Sequence, residues 1–287
     1  MPYVITPSST ISSVWASLQG LCKFLLPMLS GDEEESKYFV EKQFDQHNQL
    51  HSLLFAHPEA FEIILLNPDV VAIDSTYKTN RFNMPFLHIS GVTVIGTTYD
   101  IAYCFLPNEK EETYNWAVQS LRCLFEHLEV RPLLFITDND TALKKALREY
   151  YPKMPQRLCI WHINKNVEKQ AMAHWDVRRV STEPEKDEIE RQRHEFIQRW
   201  NELVARETEE AFEEAWESLQ LDYRAYPRLI QYIRDERMPT AEQWAQCYCG
   251  YMKSFGYRTT SLLEARHKAL KNHPRSTSTT SSGTYTT

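Results

Sequence analysis

The sequence predicts a mixed α/β fold, a sheet covered by helices, followed by a long helical segment. The first observation is an apolar, β-branched run over residues 70–76, bounded by Pro68, which is typical of a buried strand. The second is a short Gly-Thr-Thr connection at residues 96–98 between two further strand patterns, which favours antiparallel pairing. The third is the alternation of helical and strand patterns from residue 109 onward, which is typical of a sheet with helices packed on it.

The elements can be placed along the chain in order. Residues 38–66 are rich in apolar side chains, and strands and short helices fit that pattern equally well. After them the patterns predict five strands, at residues 70–76, 86–95, 99–106, 132–137 and 157–161. Apolar residues at helical spacing predict the helices 109–128, 138–150 and 163–175, then a wholly helical stretch over 181–255 and a last helix over 260–272.

Composition and charge limit the function classes. With 287 residues, 42% hydrophobic and 25% charged, the chain can form one large or two small cores. The net charge of −7 argues against nucleic-acid binding across the whole surface, so any DNA contact must come from local patches. Six cysteines without a dense framework predict reduced thiols and an intracellular site. The apolar stretch over residues 14–28 is interrupted by Lys23 and Pro27, so we expect neither a signal peptide nor a membrane anchor.

Two of the predicted strands end in an acidic residue. Asp74 follows the apolar run of the first strand, and Asp138 follows that of the fourth. Two buried strands can present both carboxylates at one rim of the sheet, where oxygen ligands bind hard divalent cations. The alternative is that each Asp only caps the turn or helix that follows it. For either residue alone both interpretations stand, whereas the pair favours a metal site.

A third acid near the end of the chain completes the pattern. Glu264 lies in the stretch Thr259–Lys268, where Ser261 and Glu264 also form a capping box, in which the Glu side chain satisfies a free backbone donor. From the spacing alone, the Glu264 side chain could serve either as a helix cap or as a metal ligand. Around Glu264 lies the most basic part of the chain, which could follow a phosphate backbone; its bases are Lys253, Arg258, Arg266, Lys268, Lys271 and Arg275.

At this point an ordered set of motifs resembles a known family, the MULE (Mutator-like element) transposase domain in its fungal branch, whose relatives include far-red-response transcription factors. The resemblance covers about residues 38–272 and is carried by Phe55–Glu59, Asp69–Pro85, Thr137–Asp138, Leu158–Val167 and Thr259–His267. It implies a ribonuclease H-like sheet of five strands, split by a long helical insertion before the last catalytic helix. The implied triad of acids is Asp74, Asp138 and Glu264.

The resemblance also implies a chemistry and a set of partners. Two Mg²⁺ or Mn²⁺ ions held by the three acids would support DNA strand cleavage and strand transfer. The expected partner is double-stranded DNA, at transposon ends and target, with a homodimer as an option and no membrane. The expected location is the nucleus. For contacts to the DNA backbone we select Lys78, Lys165, Lys169, Arg266, Lys268 and Lys271.

The Cys159-x-x-His162 element resembles the one that follows the second Asp in the family. A structural zinc site needs four ligands, and this element supplies only two. Cys247 and Cys249 could supply the others, but zinc is not expected here. We expect Cys159 to face the core and His162 to lie near the acids, touching the scissile phosphate or orienting a carboxylate. Structural roles are assigned to Cys159, Trp161 and Ser261.

The chain also departs from the family pattern. Leu262-Leu263 and Ala265 flank Glu264 where the family commonly has Arg-Val and Gly, and no DNA-recognition module is visible. These departures fit a truncated or decayed copy of a transposase. A second hypothesis is a transposase-derived DNA-binding or regulatory protein without catalysis. The expected organisation is a leader over 1–36, a first core part over 37–180, a helical insertion over 181–255, a core-completing helix over 256–273 and a disordered Ser/Thr tail over 274–287.

Overall fold

The computed structural model describes residues 38–76 and 84–250. Its centre is a seven-stranded mixed sheet with the spatial order β1-β2-β5-β4-β3-β6-β7. The strands are β1 (Phe39–Phe44), β2 (Leu50–Ala56), β3 (Val70–Thr76), β4 (Phe86–Val92), β5 (Thr98–Phe105), β6 (Leu134–Thr137) and β7 (Gln156–Leu158). The helices that pack on the sheet are α1 (Glu59–Leu66), α2 (Glu111–His127), α3 (Thr141–Tyr150) and α4 (Ile160–His174).

Strand directions divide the sheet into two parts. The strands β1, β2, β5, β4 and β3 pair antiparallel in that spatial order. On the other side of β3, the strands β6 and β7 run parallel to it. Parallel neighbours need crossover connections, and α3 fills the connection between β6 and β7. The carboxyl ends of β3, β6 and β7 therefore lie at one edge of the sheet.

The sheet has seven strands rather than the five predicted. All five predicted strands are present, and β1 and β2 extend the sheet beyond β5. The sequence left residues 38–66 open between strand and helix because neither β1 nor β2 shows a strict period of two. The stretch in fact contains both, since α1 follows β2. Trp161 lies in the first turn of α4 and not in the fifth predicted strand, because the strand pairing ends at Leu158.

One face of the sheet carries the larger core. Apolar side chains of β3, β4, β5 and β6 pack there against α1, α2 and α3, with Leu54, Ile73, Ile89, Leu121 and Leu147 fully buried. The opposite face is covered near β3 and β6 by Cys159 and Trp161. Both faces are thus buried at the centre of the sheet, which explains why β3 reads as a continuous apolar run and not as an alternation.

A second core follows in the helical segment that the sequence predicted. It consists of α5 (Glu183–Val204), α6 (Glu209–Asp222), α7 (Pro227–Tyr232) and α8 (Gln246–Cys249), with a π-helical turn at Ile233–Arg237 and short 3₁₀ turns at Val177–Arg179 and Met238–Gln243. The rings of Trp200 and Trp244 are fully buried at its centre, 5.4 Å apart. Helix α4 contributes Ile163 and Val167 to this core. No helix of the described residues is long and apolar enough to cross a membrane.

The end of the sheet opposite the acids is fixed by an unusually close contact. Tyr99 of β5 lies across Gly91 of β4, its partner in the ladder, and donates a hydrogen bond to the carbonyl of Asn67 at 2.6 Å. A Cβ atom at position 91 would lie 2.1 Å from Cζ of Tyr99. Glycine is therefore required at position 91 because a larger residue would clash with the Tyr99 ring. The backbone conformation is not the reason, since Gly91 does not lie in the left-handed region.

We expect Gly91→Ala to destabilise the protein by about 1–3 kcal/mol, because the added methyl group must displace a buried ring. Urea denaturation of the metal-free protein measures this. The control is the same substitution in a Tyr99→Ala background, where the clash is absent and the additional cost should largely vanish. An equal cost in both backgrounds would show that the ring is not the reason for glycine.

Candidate active site

Asp74 lies inside strand β3, two residues before its end at Thr76. Its side chain is only 2% exposed, so the strand carries it further into the protein than the sequence suggested. A buried carboxylate is costly unless it has partners or binds a metal ion. Being within the strand, Asp74 does not cap a following helix.

Asp138 comes next to Asp74 because of the parallel register. Ile73 of β3 is paired with Thr137 of β6, so the next residue on each strand is an aspartate. Asp138 also accepts a hydrogen bond at Oδ1 from the backbone N–H of Asp140, at 3.2 Å. Asp140 in turn caps α3 by accepting from the N–H of Leu143 at 2.7 Å. Helix capping therefore falls to Asp140, while Asp138 closes a turn and sits beside Asp74.

His162 joins the two acids from the first turn of α4. Its Nε2 lies 3.7 Å from Oδ1 of Asp74. Cys159, the N-cap residue of α4, is fully buried and forms a side-chain hydrogen bond with His162. The three-residue spacing of the Cys-x-x-His element places both side chains on one side of a helical turn, with the thiol toward the core and the imidazole toward the acids.

The charges of this cluster are coupled. Burial raises the pKa of Asp138 to about 6, and the nearby Asp74 adds to the increase, although the Asp140 amide and His162 favour the carboxylate. Burial alone would lower the pKa of His162. The hydrogen bond with Cys159 and the carboxylates of Asp74 and Asp138 outweigh that effect and raise the pKa to about 9. The protonation of His162 therefore depends on Cys159 and on the acids beside it, and that of Asp138 depends in part on His162.

Two further contacts border the acids, and sequence reasoning did not find them. The hydroxyl of Ser75 donates to Oε1 of Glu109 at 2.5 Å, which ties the end of β3 to the segment before α2. Lys144 is buried and donates from Nζ to Oδ1 of Asn139 at 2.9 Å. The first contact joins residues far apart in sequence, so no local pattern could have shown it.

Two of the selected DNA-contact residues lie on α4. Lys165 and Lys169 are exposed, and their spacing of four residues puts them on one face of the helix. The ammonium group of Lys165 stacks over the ring of Trp161, 4.0 Å from its centroid, so Trp161 orients this side chain. The remaining selected residues lie outside the described residues, namely Glu264, Ser261, Lys78, Arg266, Lys268 and Lys271.

The residues that form this cluster coincide with a family match. Residues 70–166 match the MULE transposase domain. The resemblance inferred from the motifs is confirmed for this stretch. The MULE-matching stretch contains both aspartates, the Cys-x-x-His element and Lys165, and it ends within α4.

The chain spans only a minor part of the length of the curated relatives that it matches. The chain is 24% identical over 242 residues to the PKS-NRPS hybrid synthetase cheA of Chaetomium globosum, which covers 77% of this chain and 5% of that protein. It is 26% identical to Protein FAR1-RELATED SEQUENCE 5 of Arabidopsis thaliana, over 54% of this chain and 19% of that protein. A transposase for insertion sequence element IS1201 of Lactobacillus helveticus is 29% identical over 34% of this chain and 27% of its own length.

Among solved structures, the HTLV-2 integrase catalytic core domain in complex with magnesium is similar over 43% of this chain and 83% of its own. The identity is 14% and the TM-score 0.23. A likeness at that TM-score does not establish a shared fold. The architecture of this chain is therefore described from its own strand order, and the integrase adds nothing to the assignment of residues.

The donor atoms of the cluster fit a hard divalent cation in part. Asp74 and Asp138 offer carboxylate oxygens, which Mg²⁺ and Mn²⁺ prefer. The described residues contain no group of three or more His, Cys, Asp or Glu that could hold a metal ion. A third oxygen ligand must therefore come from elsewhere in the chain or from the substrate. For zinc the donors fit poorly, because Cys249 donates its thiol to the carbonyl of Ala245 at 2.9 Å and Cys159 faces the core.

We expect Asp138→Asn to become more stable than wild type, in the metal-free protein, as the pH rises from 4 to 7. The raised pKa means that the folded protein keeps the Asp138 proton longer than the unfolded chain does. Wild type therefore loses stability between pH 3.8, the ordinary value, and about 6. Asparagine removes this loss, which is at most about 3 kcal/mol at about 1.4 kcal/mol per pKa unit. Urea unfolding in EDTA measures the difference at each pH.

A surface aspartate provides a control of opposite sign. The backbone N–H groups of Gln49 and His47 hold the pKa of Asp45 below its usual value. Asp45→Asn should therefore weaken the protein at neutral pH and have little effect in acid. A stability of Asp138→Asn that follows wild type at every pH would contradict a raised pKa for Asp138.

Proposed function

We propose that this chain is a DDE-type transposase catalytic domain, which cleaves and joins DNA strands with Mg²⁺ or Mn²⁺. The observation that carries the proposal is the register of β3 and β6, which sets Asp74 beside Asp138 inside the stretch that matches the MULE transposase domain. His162 at 3.7 Å from Asp74 adds a positive charge to the pair. Carboxylates clustered at the end of a buried sheet suit metal-assisted phosphodiester chemistry.

A ribonuclease H-like fold is part of this proposal. The strands β5, β4 and β3 are antiparallel neighbours, and β6 and β7 continue the sheet parallel to β3. This order and these directions support a ribonuclease H-like sheet, to which β1 and β2 would add an extension. The helical segment after α4 corresponds to the insertion, so the proposed division is 37–180, 181–255 and 256–273, with a leader before and a tail after.

The three acids share one part in the proposed reaction, that of metal ligands, and His162 has a separate one. Asp74 and Asp138 would hold the metal ions, with Glu264 as the third ligand. When bound, such ions lower the pKa of water and stabilise the attacking and leaving oxygens of an in-line displacement. His162, held as an imidazolium, can fix the Asp74 carboxylate or contact the scissile phosphate. No side-chain nucleophile is required, since water or a 3′-hydroxyl attacks the phosphorus.

The proposed partner is double-stranded DNA, at transposon ends and target. The exposed Lys165 and Lys169 lie on the helix that carries His162, so a strand that reaches the acids would pass them. Lys78, Arg266, Lys268 and Lys271 are further proposed contacts. The domain would act in the nucleus, where chromosomal DNA is the target, and a homodimer would allow two transposon ends to be held together.

The central test is metal binding and strand cleavage by the full chain. We expect Mn²⁺-dependent nicking of duplex DNA and expect Asp74→Asn, Asp138→Asn and Glu264→Gln each to abolish it. Removing a carboxylate that holds a metal ion leaves the developing charge uncompensated. Asp187→Asn, an exposed acid on α5, is the matched control and should cut like wild type. Full nicking activity in Asp74→Asn would exclude this mechanism.

A second candidate is a DNA-binding or regulatory protein without catalysis. The similarity to FAR1-RELATED SEQUENCE 5, which extends over 54% of this chain, supports it. The two candidates differ in metal affinity. If the chain is a regulator, wild type and Asp138→Asn should bind Mn²⁺ equally well. If it is a DDE enzyme, Asp138→Asn should bind Mn²⁺ more weakly than wild type.

The lysines of α4 give a prediction that holds for both candidates. If Lys165 and Lys169 contact phosphates, changing either to Gln should reduce the slope of log affinity against log salt by about 1. Filter binding or fluorescence anisotropy at several salt concentrations measures the slope. Lys186→Gln is the control, because Lys186 on α5 is paired with Glu183 at 2.7 Å and its slope should match wild type. Unchanged slopes for Lys165 and Lys169 would place the DNA elsewhere.

A further inference from the structure

A β-bulge in strand β5 brings an acidic side chain to the face of the sheet that carries Asp74. The register of β4 with β5 shifts between Ile89 and Ser90, so that Ile89 faces Ala102 while Ser90 faces Asp100. Without this shift Ile101 would stand opposite Ser90, and Asp100 would point to the other face, into the larger core. Bulges are common next to active sites, where they redirect a side chain.

The redirected Asp100 meets a buried histidine. Nε2 of His88 lies 2.9 Å from Oδ1 of Asp100. The His88 side chain is 1% exposed, whereas that of Asp100 is 36% exposed. The imidazole is also stacked with Tyr103, with ring centroids 5.1 Å apart and an interplanar angle of 21°, and it packs near Phe86. Contacts on its face and at one nitrogen therefore fix the orientation of the ring.

His88 is the direct ladder partner of Asp74. The two residues are paired across β3 and β4, so their side chains lie on the same face, with Cβ atoms about 4.5–5.5 Å apart as in any antiparallel pair. The parallel neighbour on the other side is β6, which ends one residue before Asp138. Asp74 thus stands between Asp138 and His88, and Asp100 follows as the next acid along this row.

We infer that the His88–Asp100 pair is a positioning device that holds the Asp74 carboxylate in the orientation needed to bind the metal ion. The inference rests on the proposed function and adds residues that the family motifs do not include. Ligand carboxylates are commonly held by a second layer of side chains, and the loss of such support typically costs about 10–100-fold in metal affinity or activity. His88 limits the space into which Asp74 can rotate, and Asp100 keeps the imidazole from turning away.

The alternative is that the pair is only a satisfied polar contact in a core. Two observations weigh against it. Apolar residues at both positions would pack without the bulge and without the cost of burying polar groups. The histidine of the pair also occupies the ladder position directly opposite Asp74, while Phe86 and Phe105, two residues away at the start of β4, are an ordinary apolar pair.

The experiment measures Mn²⁺ affinity by electron paramagnetic resonance of the free ion, with the full chain. His88→Phe keeps the ring stacking and removes both nitrogens. Asp100→Ala removes the anchor at a position that is partly exposed and therefore tolerant. We expect both variants to melt as wild type within a few degrees and to bind Mn²⁺ about 10–100-fold more weakly, while the KM for DNA is unchanged. His88→Gln, which retains a donor near Nε2, should restore part of the affinity.

The control is Ser90→Ala, on the same face one pair further from Asp74, which should bind Mn²⁺ as wild type does. If His88→Phe or Asp100→Ala is folded and keeps full Mn²⁺ affinity, the inference is overturned while the proposed function stands. Should His88→Phe not fold, Asp100→Ala alone decides. If wild type shows no Mn²⁺ binding that depends on Asp74, the proposed function fails first and the inference with it.

Discussion

The parallel pairing of β3 with β6 is the constraint on which the site depends. It aligns Ile73 with Thr137, so that two aspartates 64 positions apart in the sequence become neighbours at one edge of the sheet. Both strands are buried on both faces, and this makes the register hard to shift, because a slip by one residue would expose a whole apolar set. The positions of the two aspartates along the sheet are therefore set by the buried register of β3 and β6.

Helix α4 connects this edge to the second core. Its first turn carries His162 beside Asp74, while Ile163, Val167 and Ala171 pack into the helical segment. Asn164 accepts a hydrogen bond from the indole N–H of Trp200 at 2.9 Å, so α5 bears directly on the turn next to His162. A change in the packing of the helical segment would thus move the imidazole relative to the acids. The helical segment thus supports the site from outside the sheet.

The parts that could be predicted from the sequence are those with a local signal. Strand β3 was predicted from its apolar, β-branched composition, and helix α2 from the helical spacing of its apolar residues. The ends of two apolar runs located Asp74 and Asp138. The extra strands β1 and β2 could not be predicted, because they lack a period of two. The role of His88 was hidden for a different reason. The partner of a residue on β4 depends on the register of β5, and the bulge opposite Ile89/Ser90 changes that register without a glycine or proline in β5 to mark it.

The two ends of the central strands differ in a way that explains how the polar end is tolerated. At the far end, Tyr99 closes over Gly91 and bonds to the carbonyl of Asn67, which locks β4, β5 and the segment before β3 together. Toward the other end, the same strands carry Asp74 and His88, which are buried polar groups that weaken packing. Because each strand runs through both ends, the tight contact at one end fixes the register that the polar groups at the other end require. On β4 this contact lies three residues from His88, the ladder partner of Asp74, and on β5 it directly precedes Asp100, so it orders the strands beside the polar groups without occupying their positions.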